Sequence, residues 1–202
     1  MNSVFSNKNL YSIFFLLFIV TILFLPAFLG WQGIFHDDQL EWFPRHYFVA
    51  KNLQQGIIPL WDPQDWCGAI PFYARYFADT YYLPLWPFFF LVNLSSLKNC
   101  YWMFVLLPLY LQYIIAALGM YFFIKKVLRC NTAASCFGAL AYIFSPIFSY
   151  AYPWQQVVGI QAWMPWLFIT YMSAVKKYCL WKLLLGGAVF ALMITSAAPN
   201  YI

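Results

Sequence analysis

The chain has 202 residues, of which 64% are hydrophobic, 24% aromatic and only 8% charged. Soluble domains carry roughly 25% charged residues, so composition argues strongly against a soluble globular protein. The net charge of +5 is spread over isolated bases without a basic stripe, which argues against nucleic acid and for bases that set membrane topology.

A membrane helix needs ~20 apolar residues. The first charge-free run is Leu10 to Phe35, densest from Tyr11 to Leu29, and predicts a first span over 10–29. A cleaved leader would have a shorter apolar core, a more basic start and a small-x-small cleavage site. Here Lys8 alone precedes the core and bulky residues follow it, so the helix is expected to be retained.

All six acids, Asp37, Asp38, Glu41, Asp62, Asp65 and Asp79, fall in the following stretch, 30–98. Ionised carboxylates are costly in hydrocarbon, so 30–98 is expected in water or at the membrane surface. Asp37 and Asp38 follow His36 directly after the first span. On a helix starting near Asp37, Glu41 would share a face with both, at i,i+4 and i,i+3. One of the pair could be the helix N-cap. Two adjacent acids and a third one turn later exceed what a cap requires, so Asp38, Asp37 and Glu41 are the candidate catalytic residues. Arg45 and Arg75 suit phosphate, because a guanidinium pairs with it in two-pronged geometry; lipid headgroups would satisfy them equally. Asp62 and Asp65 flank Pro63 and read as turn residues. His36 and His46 lack an i,i+4 companion, and Cys67, Cys100, Cys130, Cys136 and Cys179 show no CxxC spacing, so no metal site is expected. A Cys67–Cys100 disulfide is open but not argued for by the spacing.

Thr80 to Leu97 is uncharged and apolar, but Pro84 and Pro87 interrupt it. If it spanned, Lys125 and Lys126 would face outward. A segment lying in the outer interface, with Tyr81, Tyr82, Trp86 and Phe88-Phe89-Phe90 dipping into lipid, is preferred.

Further spans are expected at 100–124, 132–150, 159–175 and 180–197, with a turn at Tyr152-Pro153-Trp154. With the N-terminus inside, Lys8, Lys125, Lys126, Arg129, Lys176, Lys177 and Lys182 are cytoplasmic, and Arg45, Lys51, Arg75 and Lys98 lie outside. The expected fold is an all-α integral membrane bundle, about five spans in one domain over 1–202, with a large first extracytoplasmic loop containing short interfacial helices.

Within that loop, Asp38, Phe43-Pro44-Arg45, Gly56-Ile57-Ile58-Pro59-Leu60-Trp61-Asp62-Pro63, Gly68-Ala69-Ile70-Pro71-Phe72 and the Asp79 to Pro84 segment together resemble the YfhO-type bacterial membrane proteins. That family looks related to the GT-C class of integral-membrane glycosyltransferases. The resemblance covers the outer loop well and the later helices by hydropathy only. It implies an acidic catalytic residue in the first outer loop, Asp38 here, and a sugar donor on a polyprenyl phosphate. It implies an extracytoplasmic glycan, polymer, lipid or protein acceptor, and the bacterial cytoplasmic membrane as the location. Trp61, in the most specific string, joins Arg45 and Arg75 as a candidate substrate contact. No cofactor is implied. Family members are much longer, so the chain is expected to be an N-terminal fragment, inactive alone. They often carry a Gly-His-Pro-Gln-like string where this chain has Ala197-Ala198-Pro199-Asn200. Two other classes stay open, a transporter and a non-catalytic assembly or anchoring protein. The first would need polar groups at mid-membrane depth, for which Gln112 and Gln161 are the candidates.

Overall fold

The computed structural model describes residues 7–31, 37–62, 82–151, 155–176 and 178–196; at 7–8, 37–42, 149–151 and 155–156 it describes the backbone alone. The described residues are helical, with no strand among them. The helices are α1 (Asn7–Phe28), α2 (Asp37–Gln54), α3 (Trp86–Leu91) after a 3-10 turn at Leu83–Leu85, and α4 (Leu97–Val127). They continue as α5 (Thr132–Ile143), α6 (Pro146–Ala151), α7 (Gln155–Lys176) and α8 (Leu180–Thr195).

Two of them, α1 and α4, are long and apolar enough to cross a membrane. The expected span at 132–150 is interrupted instead: α5 stops at Ile143, Phe144 and Ser145 form a turn, and Pro146 opens α6. Proline favours a first helical position, where its missing N–H costs nothing. Among its described residues, the expected interfacial segment contains a 3-10 turn and the six-residue α3.

Helix ends follow local chemistry. Gly30 takes φ 73 just beyond α1, and Trp31 N donates to Pro26 O at 2.9 Å. Gly56 takes φ 75 beyond α2, and Ile57 N donates to Asn52 O at 2.9 Å. Both are left-handed C-terminal caps, which glycine enters without a Cβ penalty. Asn131 Oδ1 accepts from Ala134 N at 2.8 Å and starts α5. In α4, residues Trp102–Leu106 form a π turn just ahead of Pro108. The wider turn absorbs the ring and the lost amide that would otherwise break the helix.

α1 and α4 run antiparallel. At one end Tyr121 Oη donates to Asn9 Oδ1 at 3.2 Å, and Leu16 packs with Tyr121 and Ala139. At the other, the Phe28 ring lies 5.4 Å from Trp102, and Phe24 lies 5.2 Å from Tyr113. The main core joins them to α5, α6 and α7 through Val20, Leu109, Ile143, Phe148 and Val158. α8 packs against α7. Around this core the surface is apolar. Tyr11, Phe14, Phe18, Ile22 and Leu25 are exposed at helical spacing along α1, as are Trp181, Leu184 and Leu185 on α8.

Candidate functional site

The described part of the charged segment, α2 and α3, sits at the end of the bundle marked by Phe28 and Trp102. A second core fastens it there: Val49, Ala50 and Leu53 of α2 pack with Leu85, Phe89 and Val92 around α3 and with Cys100 and Phe104 of α4. The Phe43 ring meets Phe104 at 5.7 Å. His46, 4% exposed, lies between Phe89 (5.5 Å) and Phe104 (5.7 Å) and is a packing residue of this layer. Gln54 Nε2 donates to Phe89 O and Val92 O, both at 2.9 Å, so α2 satisfies carbonyls at the end of α3 that the short helix leaves open.

Asp37 is the first residue of α2, Asp38 the second, and Glu41 follows one turn on. The three occupy i,i+3 and i,i+4 register positions at a helix N-terminus, where the amide dipoles favour negative charge. Their side chains lie outside the described residues. Arg45, also on α2, is buried and engaged by contacts inside the protein. Trp61 is exposed in the extended stretch after α2, and Asp62 beside it is half-buried. Arg75, Asp65, Asp79 and Cys67 lie outside the described residues. Cys100 carries a free, buried thiol that donates to Asn93 O at 3.6 Å. Among the described residues, no three His, Cys, Asp or Glu side chains gather as a metal site would require.

Two features escaped the sequence reading. Tyr82, read there as a lipid anchor, is 3% exposed and accepts a 2.8 Å hydrogen bond from Trp163 Nε1. Gln112 also bonds to it, and burial nonetheless pushes the Tyr82 hydroxyl above its ordinary value. Gln112 itself is 3% exposed and its Oε1 has no hydrogen-bond partner among the described residues. Gly159 brings α7 close enough to this junction that a Cβ there would lie 3.1 Å from Gln112 Nε2. The only sequence signal for the cluster is a lone glutamine in an apolar run. The second feature is an open surface hollow of about 330 Å³ at the head of α4, lined among the described residues by Ser96, Lys98, Asn99 and Trp102. Lys98 was legible only as one of four outer bases.

No protein-family model, curated protein or solved structure matches this chain.

Proposed function

We propose that the chain is a multi-spanning membrane glycosyltransferase of GT-C type, related to the YfhO-type proteins, moving a sugar from a polyprenyl-phosphate donor to an extracytoplasmic glycan, polymer or protein acceptor. The observation that carries the reading is the antiparallel pairing of α1 with α4. It sets α2, with Asp37, Asp38 and Glu41, at one end of two membrane-length helices and Lys125, Lys126 and Arg129 at the other. With the lysine end in the cytoplasm, as the positive-inside rule prefers, the acids face outward. The bilayer is supported further by α1, only 22% of whose apolar window is buried, as expected of a helix facing lipid rather than a soluble core. In this reading α5 to α8 complete about five spans in a bacterial cytoplasmic membrane with the N-terminus inside.

In the transfer, an acceptor hydroxyl oxygen bonds to the anomeric carbon, the carbon–oxygen bond to the phosphate breaks, and the electron pair leaves with the phosphate. Asp38 takes the hydroxyl proton. Asp37 and Glu41 orient the acceptor and, as like charges, raise the proton affinity of Asp38. Arg75 and Trp61 contact the donor, and Arg45, buried in α2, acts from behind the acids. In the full-length protein Asp38→Asn is expected to lower radiolabelled sugar transfer by about 10²–10⁴-fold. Unchanged transfer at normal expression removes Asp38 from the mechanism.

A transporter is favoured by one observation, the buried Oε1 of Gln112, which has no partner among the described residues. Substrate uptake into proteoliposomes without sugar transfer would select it.

A further inference from the structure

We propose that Arg45 clamps the acid-bearing first turn of α2 by pairing with Glu41 across Pro44, and that this clamp sets where Asp38 stands. Arg45 and Glu41 are then positioning residues that act through Asp38. The role of Asp38 rests on the transferase reading above; the clamp itself does not.

The packing of α2 fixes its helical phase. Arg45, His46, Val49, Ala50 and Leu53 are buried, while Pro44, Tyr47 and Lys51 are exposed. A helix turns about 100° per residue, so positions seven apart lie within about 20° of one another. Carried back to the start of α2, this phase puts position 38 in line with Arg45, on the packed side. Position 37 falls in line with Pro44, on the open side, and position 41 lies between the two, one turn before Arg45.

Arg45 is 9% exposed and engaged within the protein. A guanidinium enclosed to that degree is costly unless a carboxylate balances it. Helical side chains lean toward the N-terminus, so an arginine reaches back over the preceding turn. The residue on that turn is Glu41, about 6 Å away along the axis. An acid four residues ahead of a base is the favourable order for a helical ion pair.

Pro44 gives the pair its purpose. Proline lacks the N–H that would bond to the carbonyl of Leu40, so the backbone ladder of α2 has a gap between the acids and the packed turns. The first turn of a helix is also the part with the fewest backbone bonds. Arg45 stands on the packed side of the gap and Glu41 on the acid side, and a bond between them spans it. Asp38, three residues before Glu41, is carried on the same turn. Arg45 also offsets the charge of Glu41, which limits its repulsion of Asp38.

Hydrogen exchange of the full-length protein in detergent reads the clamp without any transfer assay. The reporting amides are those of residues 41 to 43, which bond back to residues 37 to 39. Glu41→Gln and Arg45→Gln are each expected to speed their exchange about tenfold, and the double variant no further, with residues 46 to 54 protected throughout. Arg45→Lys should recover most of the protection. Glu41→Gln carries the test alone if Arg45→Gln does not fold. Additive effects, or unaltered exchange in Glu41→Gln, overturn the proposal. So does Asp62→Asn reproducing the Arg45→Gln effect while Glu41→Gln is silent. In transfer assays Glu41→Gln is expected to lower kcat about tenfold at constant KM, the signature of a misplaced base. A raised KM at constant kcat would make Glu41 a substrate contact and overturn the positioning role. Coupled exchange together with transfer that ignores Asp38→Asn would leave the clamp standing and remove Asp38 from the mechanism instead.

Discussion

Tyr142 Oη donates a 2.7 Å hydrogen bond to the backbone carbonyl of Gln161, the carbonyl that Pro165 leaves without an amide partner. Proline in a helix interior lacks the N–H that would bond to the residue four positions earlier. A side chain from α5 supplies the donor instead, and the defect in α7 becomes a link between two helices. Tyr142→Phe is therefore expected to destabilise the protein by about 1–3 kcal/mol, measured by thermal unfolding in detergent. In a Pro165→Ala background the backbone regains an N–H that reaches Gln161 O, and the cost of Tyr142→Phe should shrink to a few tenths. Equal costs in both backgrounds would show that the tyrosine does not answer the proline.

Glycine positions separate close approach from open space. At Gly119 a Cβ would lie 2.6 Å from Trp166 Nε1, which donates to Ile115 O at 2.9 Å. At Gly187 it would meet nothing within 4 Å. Gly119→Ala is expected to expel the indole, break its bond and lower stability by about 1–3 kcal/mol. Gly187→Ala should be neutral or raise stability by up to about 1 kcal/mol through helix propensity. Unfolding midpoints of the two variants, side by side, check the contrast.

Tyr82 ties the outer layer to α7. Tyr82→Phe leaves the Trp163 indole N–H and the Gln112 amide without their buried acceptor, at a cost of about 1–3 kcal/mol. The pH dependence has a definite sign. Burial, opposed by the bonds from Trp163 and Gln112, raises the folded hydroxyl above 10.0, the value of an unfolded tyrosine. The stabilisation is complete below pH 10 and is lost as pH climbs from there toward the folded value, because only the unfolded chain releases its proton in that window. The wild-type protein should lose stability above pH 10 more steeply than Tyr82→Phe, and parallel alkaline curves would contradict the assignment.

The two bonds from Gln54 to Phe89 O and Val92 O are the polar hinge between α2 and α3. Gln54→Ala should accelerate amide hydrogen exchange in α3 by about tenfold while leaving α4 and α7 protected, since net hydrogen bonds contribute about 0.5–1.5 kcal/mol each. Unaltered exchange at Phe89 to Val92 would mean that the apolar contacts suffice.

Much of this architecture was readable from the chain. The charge-free runs locate α1 and α4, because in a nearly uncharged sequence the few bases and acids bracket each helix. The acids at Asp37, Asp38 and Glu41 fall on a helix that begins at Asp37, as their spacing suggests. The break at Phe144–Ser145 was not foreseen, because apolar residues continue through it and hydropathy does not register a change of direction. The burial of Arg45 was hidden for a related reason. An arginine in a polar loop reads as exposed, and only the packing of α2 on α3 and α4 encloses it. Tyr82, Trp163 and Gln112 come from three separate segments, and no local pattern announces their meeting.

In the membrane reading proposed above, the shortness of α8 carries a consequence for the surrounding lipid. Sixteen residues at 1.5 Å each reach about 24 Å, and the twelve of α5 about 18 Å, against a hydrocarbon thickness of about 30 Å. α4, with thirty-one residues, overreaches the same thickness. A bilayer around such a bundle would have to thin beside α5 and α8 but not beside α4. Reconstitution should then favour acyl chains of fourteen carbons over twenty, with the difference abolished by lengthening α8 through one added turn of leucines.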